Sequence, residues 1–415
     1  MSTTETPLAG QRLVVFAPDI PWPANRGGRA DVWRRIQALR SQGAAVLLVH
    51  LYEAGGPLSP TPADWAHVKH HVDAHECFPM KRGRALTLRR LLNARRVPWH
   101  AATRVPEPVD EARIRAAVQA FAPTAMWLEG PWFGELACKF ADAFAVPLAY
   151  RSHNVEHRYL LGQARAAKRL RDQLAWRLTC VGLAGYEHML MRRADAVFDI
   201  SIDDMAFWQG RGIQGAHWLP PLPEMAMAAT ALAPVPGDIV FSGNLRTPNN
   251  LLGLRWLVGE VMPRVWQQAP EARLRVVGSS PSAELRDELA RLARVDTDFD
   301  VPSVQPFVLG ARVLANPVFV GSGVQLKTLD MLSTDAPIVT RAQGLRGLPA
   351  ELRSLLRVAD DADAFAQALI EARAAADPWL QGRAGFRRQF SAAGIAQTVG
   401  AALAACRPSS GIGHS

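Results

Sequence analysis

Several stretches place chemically capable side chains just past an apolar run, where an α/β fold offers groups to a ligand. Gly321-Ser-Gly-Val-Gln-Leu-Lys-Thr-Leu-Asp330 follows the apolar run Val313–Val320. The spacing predicts a strand, a glycine-rich turn and a helix capped by Ser322. Amides of Gly321, Ser322, Gly323, Val324 and Gln325 at a helix start suit a phosphate or pyrophosphate, and Lys327 adds a full charge. Asp330, about one turn on, can share that face and hold ribose hydroxyls. The bland alternative is a plain strand-to-helix turn with a solvated Lys and Asp.

Val146–Tyr150 leads into Arg151-Ser-His-Asn-Val-Glu-His157. His153 could move a proton or bond a phosphate or sugar hydroxyl, or serve structure alone. His153 and His157 are four apart, but the residues between them do not form the HExxH zinc motif. Arg12–Ala17 runs into Pro18–Arg29, where Gly27 and Gly28 precede a helix without the GxGxxG spacing of a dinucleotide fingerprint. Val240–Asn250 repeats the pattern. Gly243 permits close approach beside Asn244, Arg246 supplies charge, and Asn249 or Asn250 caps the next helix.

These loops need strands and helices to hold them, and the chain alternates the two from end to end. Arg12–Ala17, Ala44–Tyr52, Ala125–Leu128, Val146–Tyr150 and Ala196–Ile200 read as buried parallel strands, with an amphipathic helix from about Gly28 to Ser41. A second series comprises Ile239–Ser242, Leu274–Gly278, Val313–Val320, Ile338–Thr340 and Leu355–Val358, with a helix over Leu251–Gln268. Pro220, Pro221, Pro223, Pro234 and Pro236 punctuate the stretch between the series. The pattern predicts two doubly wound Rossmann-like α/β domains. The boundaries are 1–218 for the first, 219–237 for a linker and 238–378 for the second. A helical segment, 379–415 with its tail, crosses back to the first domain.

The 415 residues are 49% hydrophobic, which excludes a disordered or fibrous chain. A formal charge of +9 favours acidic partners. Cys77, Cys138, Cys180 and Cys406 are too scattered for a metal knuckle or a disulfide framework and read as reduced thiols. The polar N-terminus does not resemble a signal peptide, and no run reaches the ~18 apolar residues of a membrane span. The expected location is cytoplasmic. Lys81–Arg104 carries Lys81, Arg82, Arg84, Arg89, Arg90, Arg95, Arg96 and Arg104 without an acid, and Leu86, Leu88, Leu91, Leu92 and Trp99 among them. That suits an anionic membrane surface at the inner face, or else a solvated basic face. Its aromatics do not form an RNA-binding motif, so no nucleic-acid partner is expected. Asp203-Asp204 reads as a helix cap rather than a metal pair.

In order along Arg12–Cys406, four motifs resemble the family-four retaining glycosyltransferases of the GT-B fold, particularly bacterial sugar transferases of surface-polysaccharide clusters. They are Asn25-Arg-Gly-Gly28, Arg151-Ser-His-Asn-Val-Glu156, Phe241-Ser-Gly-Asn…Pro-Asn-Asn250, and Gly321–Asp330 with its continuation to Pro349. The resemblance implies two domains facing across a cleft and metal-independent transfer from a nucleotide-diphosphate sugar to a glycan or lipid-linked hydroxyl, with no cofactor beyond the donor. It implies catalytic roles for His153, Lys327 and Arg246. Gly27, Gly28, Gly243, Asn244, Gly321, Ser322, Gly323, Val324 and Gln325 are implied at the donor, and Asp330 at the ribose. Two departures stand out. Ser322 and Asp330 occupy the places of two glutamates eight apart, and Arg246 is followed by Pro248-Asn-Asn250 rather than completing an Arg…Lys pair. The same likeness admits a GT-B epimerase or phosphorylase, or a non-catalytic partner-binding protein.

Overall fold

The computed structural model describes residues 6–24, 27–55, 59–80, 97–167, 169–224, 233–320, 323–374 and 380–406. The chain divides into two units, Met1–Pro220 with Ala392–Ser415, and Pro221–Ser391.

The first unit is built on a seven-stranded parallel sheet. Its strands are β1 (Arg12–Ala17), β2 (Ala45–Tyr52), β3 (Ala74–Pro79), β4 (Ala125–Glu129), β5 (Leu148–Ser152), β6 (Ala196–Asp199) and β7 (His217–Trp218). They lie in the order β3-β2-β1-β4-β5-β6-β7. Val14, Phe16, Leu47, Val49, Met126, Leu128, Leu148 and Tyr150 are fully buried in one continuous core. Strands covered on both faces carry near-continuous apolar runs, which is why the sequence displays them plainly.

The second unit repeats the design with β8 (Gly237–Asn244), β9 (Leu274–Ser279), β10 (Val295–Phe299), β11 (Ala311–Asn316), β12 (Ile338–Thr340) and β13 (Arg357–Val358). Their order is β10-β9-β8-β11-β12-β13. In each unit the first strand sits between its second and fourth, so strand order reverses beside β1 and beside β8. A crevice opens outside the carboxyl ends at such a switch point.

Edge strands β3 and β10 and the two-residue β7 escape the sequence reading. Ala74–Pro79 (AHECFP) and Val295–Phe299 (VDTDF) carry consecutive polar residues and so lack an apolar run, because an edge is only partly covered. The helix expected over Leu251–Gln268 begins earlier, at Pro248, and contains a π-turn at Leu257–Val261. Pro263, which has no N–H to give, lies two residues past that turn. Pro317 ends β11 at Asn316, four residues short of the expected Val320.

Leu380–Gln389 and Ala392–Ala405 form two helices that belong to different units. Leu380–Gln389 stays with the second, where the fully buried Arg383 donates from Nη1 to Ala336 O at 2.5 Å and from Nη2 to Leu355 O at 3.2 Å. Ala392–Ala405 belongs to the first and packs on the helix Gly27–Ser41. Gly400 allows this helix close to the N-terminal turn, since a Cβ there would lie 3.0 Å from Pro7 O.

Candidate functional site

In the first unit the switch point gathers a buried charge cluster. Glu129 ends β4, Arg151 lies near the end of β5, and Asp31 and Arg35 project from the helix Gly27–Ser41 that follows β1. Arg151 Nη1 donates to Glu129 Oε2 at 3.0 Å and Nη2 to Asp31 Oδ1 at 2.9 Å. Its Nε donates to Leu219 O at 3.4 Å. Glu129 Oε1 accepts from Trp127 Nε1 at 2.7 Å. His153, just past β5, brings Nε2 to 2.5 Å from Glu129 Oε2 and keeps 16% of its side chain exposed.

Burial alone would raise the Glu129 carboxyl. The Arg151 guanidinium and the His153 hydrogen bond overcome it and hold the group well below the carboxylate range. At Arg35 burial prevails instead. Burial and the neighbouring Arg151 lower it to about 9. Its Nη2 reaches Pro220 O, while Nε and Nη1 are buried without a hydrogen-bond partner among the described residues.

A second layer lies under the same loop. Glu156 opens the helix Glu156–Ala166, and its N–H donates to Glu187 Oε1 at 2.7 Å. Glu187 Oε2 also accepts from His157 N–H at 3.0 Å, capping a helix that has no cap of its own. Burial, then Glu187, raises the Glu156 carboxyl to about 7. A carboxyl raised on folding lends stability that is fully present below its unfolded value and is lost as pH rises through about 7. Glu156→Gln is therefore expected to stabilise the chain by ~1–3 kcal/mol at pH 8 and to change little at pH 5. Urea melts at both pH values check this, and equal shifts would place the carboxyl's titration elsewhere.

Gly27 and Gly28 open the helix after β1 and are exposed; a Cβ at Gly28 would meet nothing within 4 Å. Asn25 and Arg26 lie outside the described residues, as does 81–96 of the basic run. Asp203 and Asp204 do not cap their helix. Ser201 does, accepting Asp204 N–H on its Oγ at 3.2 Å, and the two aspartates occupy the first turn.

The second unit's switch point, between β8 and β11, collects the other expected residues. Gly253 lets the helix Pro248–Trp256 press on the chain after β11, where a Cβ would lie 2.2 Å from Pro317 O. That contact fixes both asparagines, which sit inside the helix instead of capping it. Asn249 Oδ1 accepts from Phe319 N–H at 3.2 Å and Val320 N–H at 2.9 Å. Asn250 Nδ2 donates to Asn244 O at 3.0 Å, and its Oδ1 accepts from Lys327 Nζ at 3.3 Å. Gly243 leaves room for this packing, since a Cβ there would lie 2.9 Å from Asn250 Nδ2 and displace that amide.

Lys327 is the second residue of the helix Leu326–Leu332. Its Nζ stands 5.1 Å from the Phe241 ring centroid, and burial lowers it to about 8. The helix start is anchored from below, where Thr328 Oγ1 accepts from Asn316 Nδ2 at 3.0 Å and donates to Gly344 O at 3.1 Å.

Gln325, not Ser322, is the N-cap position, and it makes no side-chain cap bond. Gly323 has φ +72°, a turn conformation that suits glycine, and Val324 follows it. Gly321 and Ser322 lie outside the described residues. Arg246 is exposed, and its N–H donates to Asn244 Oδ1 at 2.9 Å. Asp330 Oδ1 accepts the Glu224 N–H at 2.7 Å, so a ribose on that oxygen would compete with a backbone bond.

Sequence reasoning places His153 and Lys327 at strand-end loops and does not single out Glu129, Asp31 or Arg35, which the structure gathers beside His153. Glu129 terminates an apolar run, Ala125–Leu128, and that was its one visible mark. Among the described residues no cluster of three or more His, Cys, Asp or Glu could hold a metal ion, and no helix is long and apolar enough to cross a membrane.

Residues 236–374 match the family Glycosyl transferases group 1. A curated relative, an uncharacterized 44.6 kDa protein in the cps region of Klebsiella pneumoniae, is 29% identical over 140 residues, which are 32% of this chain. The match spans only 36% of that protein's length. Among solved structures, sucrose-phosphate synthase from Thermosynechococcus elongatus aligns with a TM-score of 0.59 at 16% identity, covering 94% of this chain and 98% of its own. Anabaena HepE in complex with UDP aligns with a TM-score of 0.59 at 13% identity, covering 95% and 99%. TarM aligns at 0.58 and 8%, covering 96% and 99%. The match to group 1 glycosyl transferases is thus confined to residues 236–374, and the two parallel-sheet α/β domains have the GT-B fold.

Proposed function

We propose that this protein is a retaining glycosyltransferase that moves a sugar from a nucleotide-diphosphate sugar to an acceptor hydroxyl in surface-polysaccharide biosynthesis. One observation carries the proposal. The group 1 match over 236–374 contains Gly243, Asn244, Arg246, Asn250 and Lys327, which meet or flank the β8/β11 switch point.

The chemistry to be supplied is stabilisation of a departing diphosphate, which fixed amides and cations do without reorganising. Lys327 and Arg246 supply the charge, and the Gly323–Gln325 turn supplies backbone. His153 serves the sugar or the acceptor, with Gly27 and Gly28 leaving room above the first helix. The cps-region relative supports a polysaccharide acceptor, glycan or lipid-linked. HepE has been solved with UDP and with UDP-glucose, which makes UDP-sugars the first donors to try. The basic run over 81–104 is proposed to hold the protein near an anionic membrane surface.

A panel of UDP- and GDP-sugars, with products read by mass spectrometry, tests the activity. Nucleotide binding without turnover from any donor would favour a partner-binding role. Lys327→Ala is expected to weaken nucleoside-diphosphate binding by ~1.5–3 kcal/mol and nucleoside binding hardly at all. Calorimetry with UDP, GDP, uridine and guanosine measures both, and equal losses would remove Lys327 from the phosphate site. Wild-type diphosphate affinity should also fall as pH rises through about 8, where Lys327 loses its proton.

A further inference from the structure

His153 stands where three buried groups dictate which of its ring nitrogens carries the proton. Nε2 lies 2.5 Å from Glu129 Oε2, and Glu129 is fully buried and held as a carboxylate by Arg151. A lone pair on Nε2 would face carboxylate lone pairs at that distance, so Nε2 must bear the hydrogen.

Arg151 Nη1 also approaches Nε2, at 3.1 Å. Two N–H groups cannot donate into each other, so this Nη1 serves Glu129 Oε2 at 3.0 Å. Arg151 cannot swing away, because Asp31 Oδ1 holds Nη2 at 2.9 Å and Leu219 O takes Nε at 3.4 Å. The second Glu129 oxygen is fixed in turn by Trp127 Nε1 at 2.7 Å. Donors therefore converge on both carboxylate oxygens, and His153 is the one member of the set that keeps an exposed edge.

We infer that Glu129 is a positioning residue that fixes His153 as its Nε2–H tautomer and leaves Nδ1 as an acceptor for a hydroxyl of the transferred sugar or of the acceptor. A neutral imidazole has one N–H, and here Glu129 uses it. The remaining lone pair repels a phosphate oxygen, which only accepts, and attracts a hydroxyl, which donates. His153 is thereby a hydroxyl reader and not a phosphate ligand. That the hydroxyl belongs to a sugar or its acceptor rests on the glycosyl-transfer proposal; the tautomer does not.

The test is nitrogen NMR on the full chain labelled with [15N]histidine, with His153 assigned by its loss in His153→Gln and read at a pH where the ring is neutral. Wild type should give a pyrrole-like Nε2 and a pyridine-like Nδ1, unchanged by UDP alone. Glu129→Gln puts a neutral amide with a single acceptor oxygen where three donors converge, so the tautomers should mix. kcat should fall by ~10-fold or more with donor KM little changed, as expected for a misplaced reacting group. An Nδ1–H tautomer in the wild type, or an unaltered tautomer in folded Glu129→Gln, overturns the assignment. If Glu129→Gln does not fold, the wild-type spectrum decides alone. The Nε2–H tautomer in a protein that transfers no sugar from any donor keeps the role of Glu129 and removes only the sugar.

Discussion

Replacing Arg151 with Met should cost ~3–5 kcal/mol of stability, the loss expected when one partner of a buried charge set is removed. Arg151 is fully buried, and its carboxylate partners Asp31 and Glu129 are 5% and 0% exposed at the side chain. Without the guanidinium, burial dominates Glu129 and pushes its carboxyl up instead of down. The sign of the pH dependence follows. A depressed carboxyl adds stability above its unfolded value and loses it as pH falls, whereas a raised one loses it as pH rises. The deficit of Arg151→Met relative to wild type should therefore be larger at pH 8 than at pH 5. Urea melts at the two pH values provide the measurement. A deficit under ~1 kcal/mol at both would mean that the acids do not depend on Arg151.

His153→Ala should show the opposite balance, with a large loss of rate and little loss of fold. The ring is part exposed, and Glu129 retains Arg151 and Trp127 as donors when it is gone. Thermal midpoint and nucleotide affinity should stay near wild type. Transfer should fall by ~10²-fold or more, the usual contribution of a positioned polar group to a transition state. Initial rates and a thermal melt on one preparation separate the cases. A lower midpoint with a proportionate loss of rate would make His153 a structural histidine, since emptying a bonded site costs stability first.

The two substitutions probe one charge cluster, and the sequence treats its members unequally. Arg151 and His153 stand two residues apart just past an apolar run, so a strand end with polar groups is legible from order alone. Asp31 and Glu129 are 120 and 22 residues from Arg151, and nothing in their local spacing marks them as partners. The same holds in the second unit. Asn249 and Asn250 look like helix caps beside Pro248, yet their side chains serve Val320 and Lys327, more than 70 residues away. Pro317, by contrast, announces its effect locally, and the strand it ends differs from the expected one only in extent.

The alternation of strand and helix, the central strands of both sheets and the loops that carry His153 and Lys327 are legible in contiguous residues. Buried parallel strands and glycine-bearing turns are written in contiguous residues, where burial on two faces forces apolar runs. Strand order, the strands β3, β7 and β10, and the partners of each charge emerge only in three dimensions. Parallel strands join through crossovers, so groups meeting at a switch point come from distant segments. A charge also carries no local sign of whether it will be buried. Glu129 becomes a buried carboxylate because β4 ends beside Arg151 of β5, and that adjacency exists only in the folded sheet.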